Sequence, residues 1–289
     1  MAMADRLLLT AKGGATTECG SDRLRRLLIL LGDHDGDLRF MLPPFEQNPG
    51  AAAAVQDISG RGLHGTNVAA YGATEGHFIR GRMLSAMLDG TADCWNIPDN
   101  PLLSFGTGVA DTPFSLGVAF CMDAENAANK NLIAKYGAAG TLEWRLFLDA
   151  AEKLNMELYD DNAAASRGRL YDTALAVNTW YVAIATYSGV GTDTPQTGVN
   201  IYLWEGAGET YMGAVDDTVL TAGAGPYVAM EQLAEAVIIG ARNSAGYAEW
   251  FPGEICMPFA TARDLSATDV DGVTDAEKVI RLMVSLLEL

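Results

Sequence analysis

Between Asp57 and Phe259, apolar side chains recur at every second position in short runs broken by Gly, Asn, Asp and Pro, with almost no helical period. Successive strand residues point to opposite faces, so each run buries one face and leaves the other for solvent or a further layer. Phe114, Leu116, Val118 and Phe120 alternate with Ser115, Gly117, Ala119 and Cys121. Trp144, Leu146 and Leu148 alternate around Arg145, and Leu154, Met156 and Leu158 around Asn155 and Glu157, which predicts a hairpin through Asp149 to Lys153. Trp180, Val182, Ile184 and Thr186 alternate with Tyr181, Ala183, Ala185 and Tyr187, and a Gly-, Thr- and Pro-rich loop leads into Val199 to Trp204, a second hairpin. Many short, regularly punctuated strands predict an all-β chain built as a two-sheet antiparallel sandwich.

The rhythm fails at both ends. Residues 1–52 finish in a breaker-rich stretch from Pro43 to Gly50 and are expected to form an N-terminal extension or arm. Within it, Ser21 to Leu31 fits a short capped helix or a strand, and periodicity does not choose between them. Residues 53–265 form the expected sandwich and 266–289 a C-terminal helical segment. Thr274-Asp275-Ala276-Glu277 fits a capping box, in which hydroxyl and carboxylate accept free N–H groups of the first turn. Val279, Leu282, Met283, Leu286 and Leu287 then share one stripe. That stripe docks either on its own sandwich or on a neighbouring subunit; on the second reading Leu282, Met283, Leu286 and Leu287 are assembly contacts.

A formal charge of −18 repels phosphate backbones and anionic lipid heads, so neither nucleic acid nor a membrane is an expected partner. The Leu7 to Leu9 run is too brief for a secretory segment and Leu27 to Leu31 too short to span a bilayer, so no signal peptide is expected. The cysteines, Cys19, Cys94, Cys121 and Cys256, form no C-x-x-C pair, and Cys121 and Cys256 fall in apolar strand patterns that predict buried thiols.

The order of landmarks resembles the laminin-G-like, concanavalin-A-like jelly-roll family over roughly residues 53 to 270. Asp57-Ile58-Ser59-Gly60-Arg61-Gly62 resembles its opening glycine turn, followed by Gly81-Arg82, Met87-Leu88-Asp89-Gly90, Phe114-Ser115-Leu116, Trp180-Tyr181-Val182-Ala183 and Phe251-Pro252-Gly253-Glu254-Ile255. The resemblance implies a jelly-roll, with Trp180 filling space between the sheets. It also implies Asp57 and Asp89 as candidates for a structural calcium ion, with no other cofactor expected. Jelly-roll glycosidases carry an E-x-D-x-x-E array, which this chain lacks; Glu143, Glu152 and Glu157 are scattered, and His34, His64 and His77 stand at no catalytic spacing, so no enzyme is expected. The carboxylate-rich turn from Gly32 to Asp37 and Asp160-Asp161-Asn162 are further candidate cation turns, the first better read as a solvated turn.

Sugar-binding sandwiches present aromatic rings beside polar groups, which makes Tyr187, Tyr202, Trp204 and Tyr211 the ligand-binding candidates, with strand packing as the competing explanation. A jelly-roll with an arm and an amphipathic helix, without a catalytic set, is expected to be a virion structural protein. The expected role is a bacteriophage capsid decoration (cement) or other particle-surface protein. It would be made in the host cytoplasm, contact capsid or other virion proteins, and assemble as a homo-oligomer such as a trimer. The alternative is a carbohydrate-binding, lectin-like module or adhesin with a glycan partner.

Overall fold

The computed structural model describes residues 17–32, 35–42, 54–68, 76–79, 83–214, 217–223, 225–268, 270–287 and 289. Two antiparallel sheets dominate them. The eight-stranded sheet runs in the order Thr210–Ala214, Val199–Glu205, Trp180–Tyr187, Phe114–Met122, Pro252–Thr261, Met83–Asp89 and Gly76–Ile79, with Leu38–Met41 paired to Pro252–Thr261. The nine-stranded sheet runs Asp217–Gly223, Ala165–Ala174, Lys153–Asp160, Leu142–Leu148, Lys130–Tyr136, Val237–Ile239, Trp95–Ile97, Gly65–Asn67 and Ala54–Val55. Both expected hairpins are present, and strands distant in sequence lie side by side, which makes the chain a jelly-roll sandwich.

The period-two pattern decides what each face meets. Tyr181, Ala183, Ala185 and Tyr187 join Phe114, Leu116, Val118 and Phe120 in the core between the sheets, against Trp144, Leu146, Leu148 and Met156 of the other sheet. Phe105 and Phe114 stack at 4.2 Å beside Trp144. Trp180 is displaced from its expected place: one position out of phase with Tyr181, it points to the outer face, and Trp144 and Trp95 fill the space between the sheets.

That outer face is covered too. Ala119, Val182, Ile184 and Phe259 pack against Leu24, Leu27 and Leu28 of helix α1 (Thr17–Leu30) and Val279, Ile280 and Met283 of helix α2 (Asp275–Leu287). Small residues on this face make the room, since a Cβ on Gly117 would overlap the Phe259 ring. Gly32, with φ 82°, closes α1, and Arg263 and Thr261 donate to the carbonyls of Leu30 and Leu31 at 2.9 and 2.7 Å. At the start of α2 the Glu277 N–H donates to Thr274 Oγ1 at 3.1 Å.

Two expectations are corrected and one open alternative is decided. Residues 17–32 and 35–42 are no arm, because α1 packs on the sheet and Leu38–Met41 joins it; residues 1–16, 33–34 and 43–53 lie outside the described residues. The stretch left open between helix and strand is helical from Thr17, four residues before Ser21. Met283 and Leu287 are buried within the chain's own second core, and Leu282 and Leu286 are half-buried against it, so the stripe is satisfied without a neighbouring subunit. Cys94, Cys121 and Cys256 are buried thiols, and burial pushes Cys94 and Cys121 up to about 12. No described helix is long and apolar enough to cross a membrane.

Candidate functional site

The four candidate aromatics separate by strand phase. Tyr187 is fully buried between the sheets, and its hydroxyl donates to Asp111 Oδ2 at 2.7 Å, so it has no face to offer a ligand. Asp111 also accepts from the Tyr227 hydroxyl and the Met230 N–H, each at 2.8 Å, and burial raises its pKa against these bonds. Tyr202 lies under the helices at 4% exposure, and burial raises its phenol to about 12. These two are corrections: alternation placed them in strands without saying which faces were covered.

Trp204 and Tyr211 are brought together. They stand opposite each other in the pairing of Val199–Glu205 with Thr210–Ala214, so both side chains fall on one face. Across from them α2 runs past, and between hairpin and helix lies a cleft of about 660 Å³. Glu209, at the tip of the connecting turn with φ 48°, and Arg281 and Ser285 from α2 supply its polar lining. Ile280, Val284 and Leu289 supply aliphatic walls. Ile280, Arg281, Val284 and Ser285 share one helix face through their spacing of one and four residues.

The cleft is held from both sides. The Gly206 N–H donates to the Trp180 carbonyl at 2.8 Å, fixing the turn that carries Glu209. Glu277 accepts from Arg281 Nε at 3.0 Å, which orients the guanidinium. Tyr211 has its pKa raised by burial, opposed by its hydrogen bond with Thr274. Trp204 is 6% exposed and closes the floor of the cleft, so the half-buried Tyr211 is the ring that can meet an apolar ring face, beside a carboxylate, a guanidinium and a hydroxyl that can hydrogen-bond its substituents. Among the described residues Glu209 is the carboxylate in the lining, whereas most glycoside hydrolases use two flanking one bond. Glu143, Glu152 and Glu157 do not form such a pair: each is joined to its own cation, Lys135, Lys130 and Arg145, at 2.7, 2.6 and 2.6 Å.

The calcium candidates are turn clamps. Asp57 is 1% exposed and its oxygens accept from the N–H groups of Met41, Ser59 and Leu63 and the Ser59 hydroxyl, which accounts for the D-x-S-G turn. Its own N–H donates to His64 Nδ1 at 3.0 Å. Asp89 accepts from the N–H groups of Thr91, Ala92 and Asp93 and the Thr91 hydroxyl; burial raises its pKa, but these bonds outweigh it and hold the carboxyl at about 2. Both carboxylates are turned to protein donors, which corrects the calcium assignment. Asp160 likewise accepts from the Ala163 and Val228 N–H groups. In the turn from Gly32 to Asp37, Asp33 and His34 lie outside the described residues. Among the described residues no group of His, Cys, Asp or Glu is arranged to hold a metal ion.

No family model matches this chain, and no curated protein matches it. Solved structures do. A receptor-binding domain aligns at TM-score 0.50 and 10% identity, over 89% of this chain and 53% of the other. The binding domain of botulinum neurotoxin serotype D aligns at 0.48 and 11%, over 87% and 51%. The CBM40 of Ruminococcus gnavus IT-sialidase, bound to α2,3-sialyllactose, aligns at 0.43 and 14%, over 68% and 95%. The chain spans about half the length of the first two. The likeness is one of fold.

Of the four candidate aromatics, Trp204 and Tyr211 line this cleft, and Glu209, Arg281 and Ser285 join them from residues that the sequence did not single out. Arg281 and Ser285 lie off the apolar stripe of α2, and only the docking of α2 beside the hairpin makes them a wall.

Proposed function

We infer that this chain is a non-enzymatic carbohydrate-binding module that takes a saccharide in the cleft between the Trp204–Tyr211 strand pair and α2. The observation that carries the reading is the meeting, in one cleft of about 660 Å³, of the half-buried Tyr211 ring, backed by the buried Trp204, with Glu209, Arg281 and Ser285. A pyranose offers such a site a C–H face for the Tyr211 ring and hydroxyls for the charged groups, and charge-assisted hydrogen bonds fix its orientation. Glu209 as the one carboxylate among the described lining residues supports binding over the two-carboxylate route of most glycoside hydrolases. The virion reading has less support, since the C-terminal helix expected to reach a neighbouring subunit packs on its own sheet, as does the described part of the N-terminal segment.

The test is a glycan array probed with the intact chain and with Glu209→Ala and Arg281→Ala, whose side chains carry little of the core. Binding of a defined saccharide by the native chain, weakened about tenfold or more by each substitution, is expected, each lost charged hydrogen bond being worth about 1.5 to 3 kcal/mol. A native chain that binds no glycan above background, or equal binding by all three proteins, overturns the reading.

A further inference from the structure

A lysine is almost never fully buried without a partner, and among the described residues Lys130 and Lys135 are both fully buried. Lys130 is answered by one carboxylate, with Glu152 Oε1 and Oε2 at 2.7 and 2.6 Å from its Nζ. Lys135 meets two: its Nζ lies 2.7 Å from Glu143 Oε1 and 3.1 Å from Asp99 Oδ1. One carboxylate would neutralise the ammonium. The second adds surplus negative charge at a site where the Lys135 and Glu143 side chains are both 0% exposed, a costly arrangement if pairing were its whole purpose.

Local strand geometry brings the three groups together. The ladder between Lys130–Tyr136 and Leu142–Leu148 slips from Lys135↔Trp144 to Tyr136↔Leu142, which leaves Glu143 as the extra residue beside Lys135. Asp99 follows the strand Trp95–Ile97 and precedes the short turn Pro101–Leu103. Lys135 Nζ also donates to the carbonyls of Leu233 and Glu235 at 2.7 and 2.9 Å, which hold it in place.

The two oxygens of Glu143 are unlike. Oε1 accepts from Lys135, from the Leu233 N–H at 2.9 Å and from the Ser104 hydroxyl at 3.1 Å, whereas Oε2 is buried with no hydrogen-bond partner among the described residues. Burial raises this carboxyl to about 7 against those donors, so it gains and loses a proton near neutral pH, and Oε2 is the atom free to carry it.

We propose that the Lys135 and Asp99 side chains condense into an intramolecular amide, with Glu143 carrying the protons. The Lys135 ammonium gives a proton to Glu143, and the amine lone pair attacks Asp99 Cγ. The N–C bond forms, one carboxyl C–O bond breaks, and Glu143 delivers the two protons shed by nitrogen to the departing oxygen. Ammonium and carboxylate become one amide and one water, no further reactant is consumed, and Glu143 ends as it began. Contact between Nζ and the Asp99 carboxyl supplies the proximity that condensation in bulk water lacks. The Asp99 side chain is 38% exposed, which gives the water a way out. The bond closes a covalent ring over residues 99–135 around the central strand Phe114–Met122, and a closed ring restricts the unfolded chain. It does not depend on saccharide binding.

The test is mass spectrometry of the intact chain, incubated at neutral pH and then unfolded, followed by tryptic digestion. The native chain should weigh one water less than its sequence, and one branched peptide should carry residues 99 and 135 together. Asp99→Ala, altered at a half-exposed position, should keep its full mass. Asp99→Asn should still form the branch, now with loss of ammonia, which an ion pair alone would not produce. Glu143→Gln should slow bond formation about a hundredfold or more. A native chain of full mass with no branched peptide leaves Lys135 an ordinary ion pair and overturns the proposal. Loss of water without the branched peptide would show a cyclic imide in the backbone, and a branch at Lys130 in place of Lys135 would show the wrong site; either overturns it as well.

Discussion

Lys130 Nζ lies 2.6 Å from Glu152 Oε2, with the lysine side chain fully buried and the glutamate side chain 8% exposed. The ammonium also donates to the carbonyls of Asn126 and Ala128 at 3.0 and 3.2 Å, and Glu152 Oε1 accepts the Asn126 N–H, so the pair fastens that loop to the ends of two interior strands. Desolvating two charges offsets much of their attraction, whereas removing one partner strands the other in a medium that cannot solvate it. Glu152→Gln should therefore cost about 3 to 5 kcal/mol in urea unfolding, and the Lys130→Met, Glu152→Gln double variant much less. A double variant at least as unstable as the single would contradict this account.

Glu143 sets a pH dependence. Burial raises its carboxyl to about 7, against the pull of Lys135 and the hydrogen bonds from Leu233 and Ser104. Because the folded state holds this proton more tightly than the unfolded one, the group's contribution to stability is complete below about 4.5 and is lost as pH rises to about 7. Glu143→Gln is neutral throughout, so the stability of the native chain relative to this variant should fall across that window and level off above it. Urea midpoints of both proteins from pH 4 to 8 would show it; a constant difference would contradict it.

The second core assigns α2 to folding. Met283→Ala removes a fully buried side chain between α2 and the sheet and should cost about 2 to 5 kcal/mol. Sedimentation should give the same mass for native and variant proteins while the melting temperature falls. A change of mass without loss of stability would return the stripe to an interface between subunits.

Asp57 makes its own turn without a cation. Asp57→Ala leaves the N–H groups of Met41, Ser59 and Leu63 without their acceptor and should cost about 2 to 3 kcal/mol. Calcium or a chelator should leave the native melting temperature unchanged, and a rise with calcium would show a site that the turn geometry does not suggest.

The sandwich was legible because alternation over 114–122, 144–158 and 180–187 follows from strand geometry alone. Which face meets what was not. Period two says that Tyr181 and Tyr187 share a side and Trp180 takes the other, but it cannot say that helices cover the outer side. The same gap explains why Tyr187 was grouped with Tyr211, one sealed over Asp111 and the other lining the cleft. Asp57 and Asp89 were expected as calcium ligands, and the structure shows both accepting turn N–H groups, because a clamped turn and a calcium turn use the same residue types. Glu209 and Arg281 meet only after α2 docks, which no local pattern encodes.

The most direct measurement is a heteronuclear NMR titration of the intact chain with the saccharide that binds best on the array. The Trp204 indole N–H, the Arg281 Nε–H and the amides of residues 206–211 should shift together and saturate with one affinity. Those signals staying in place while others move, or no saccharide binding at all, would contradict the account.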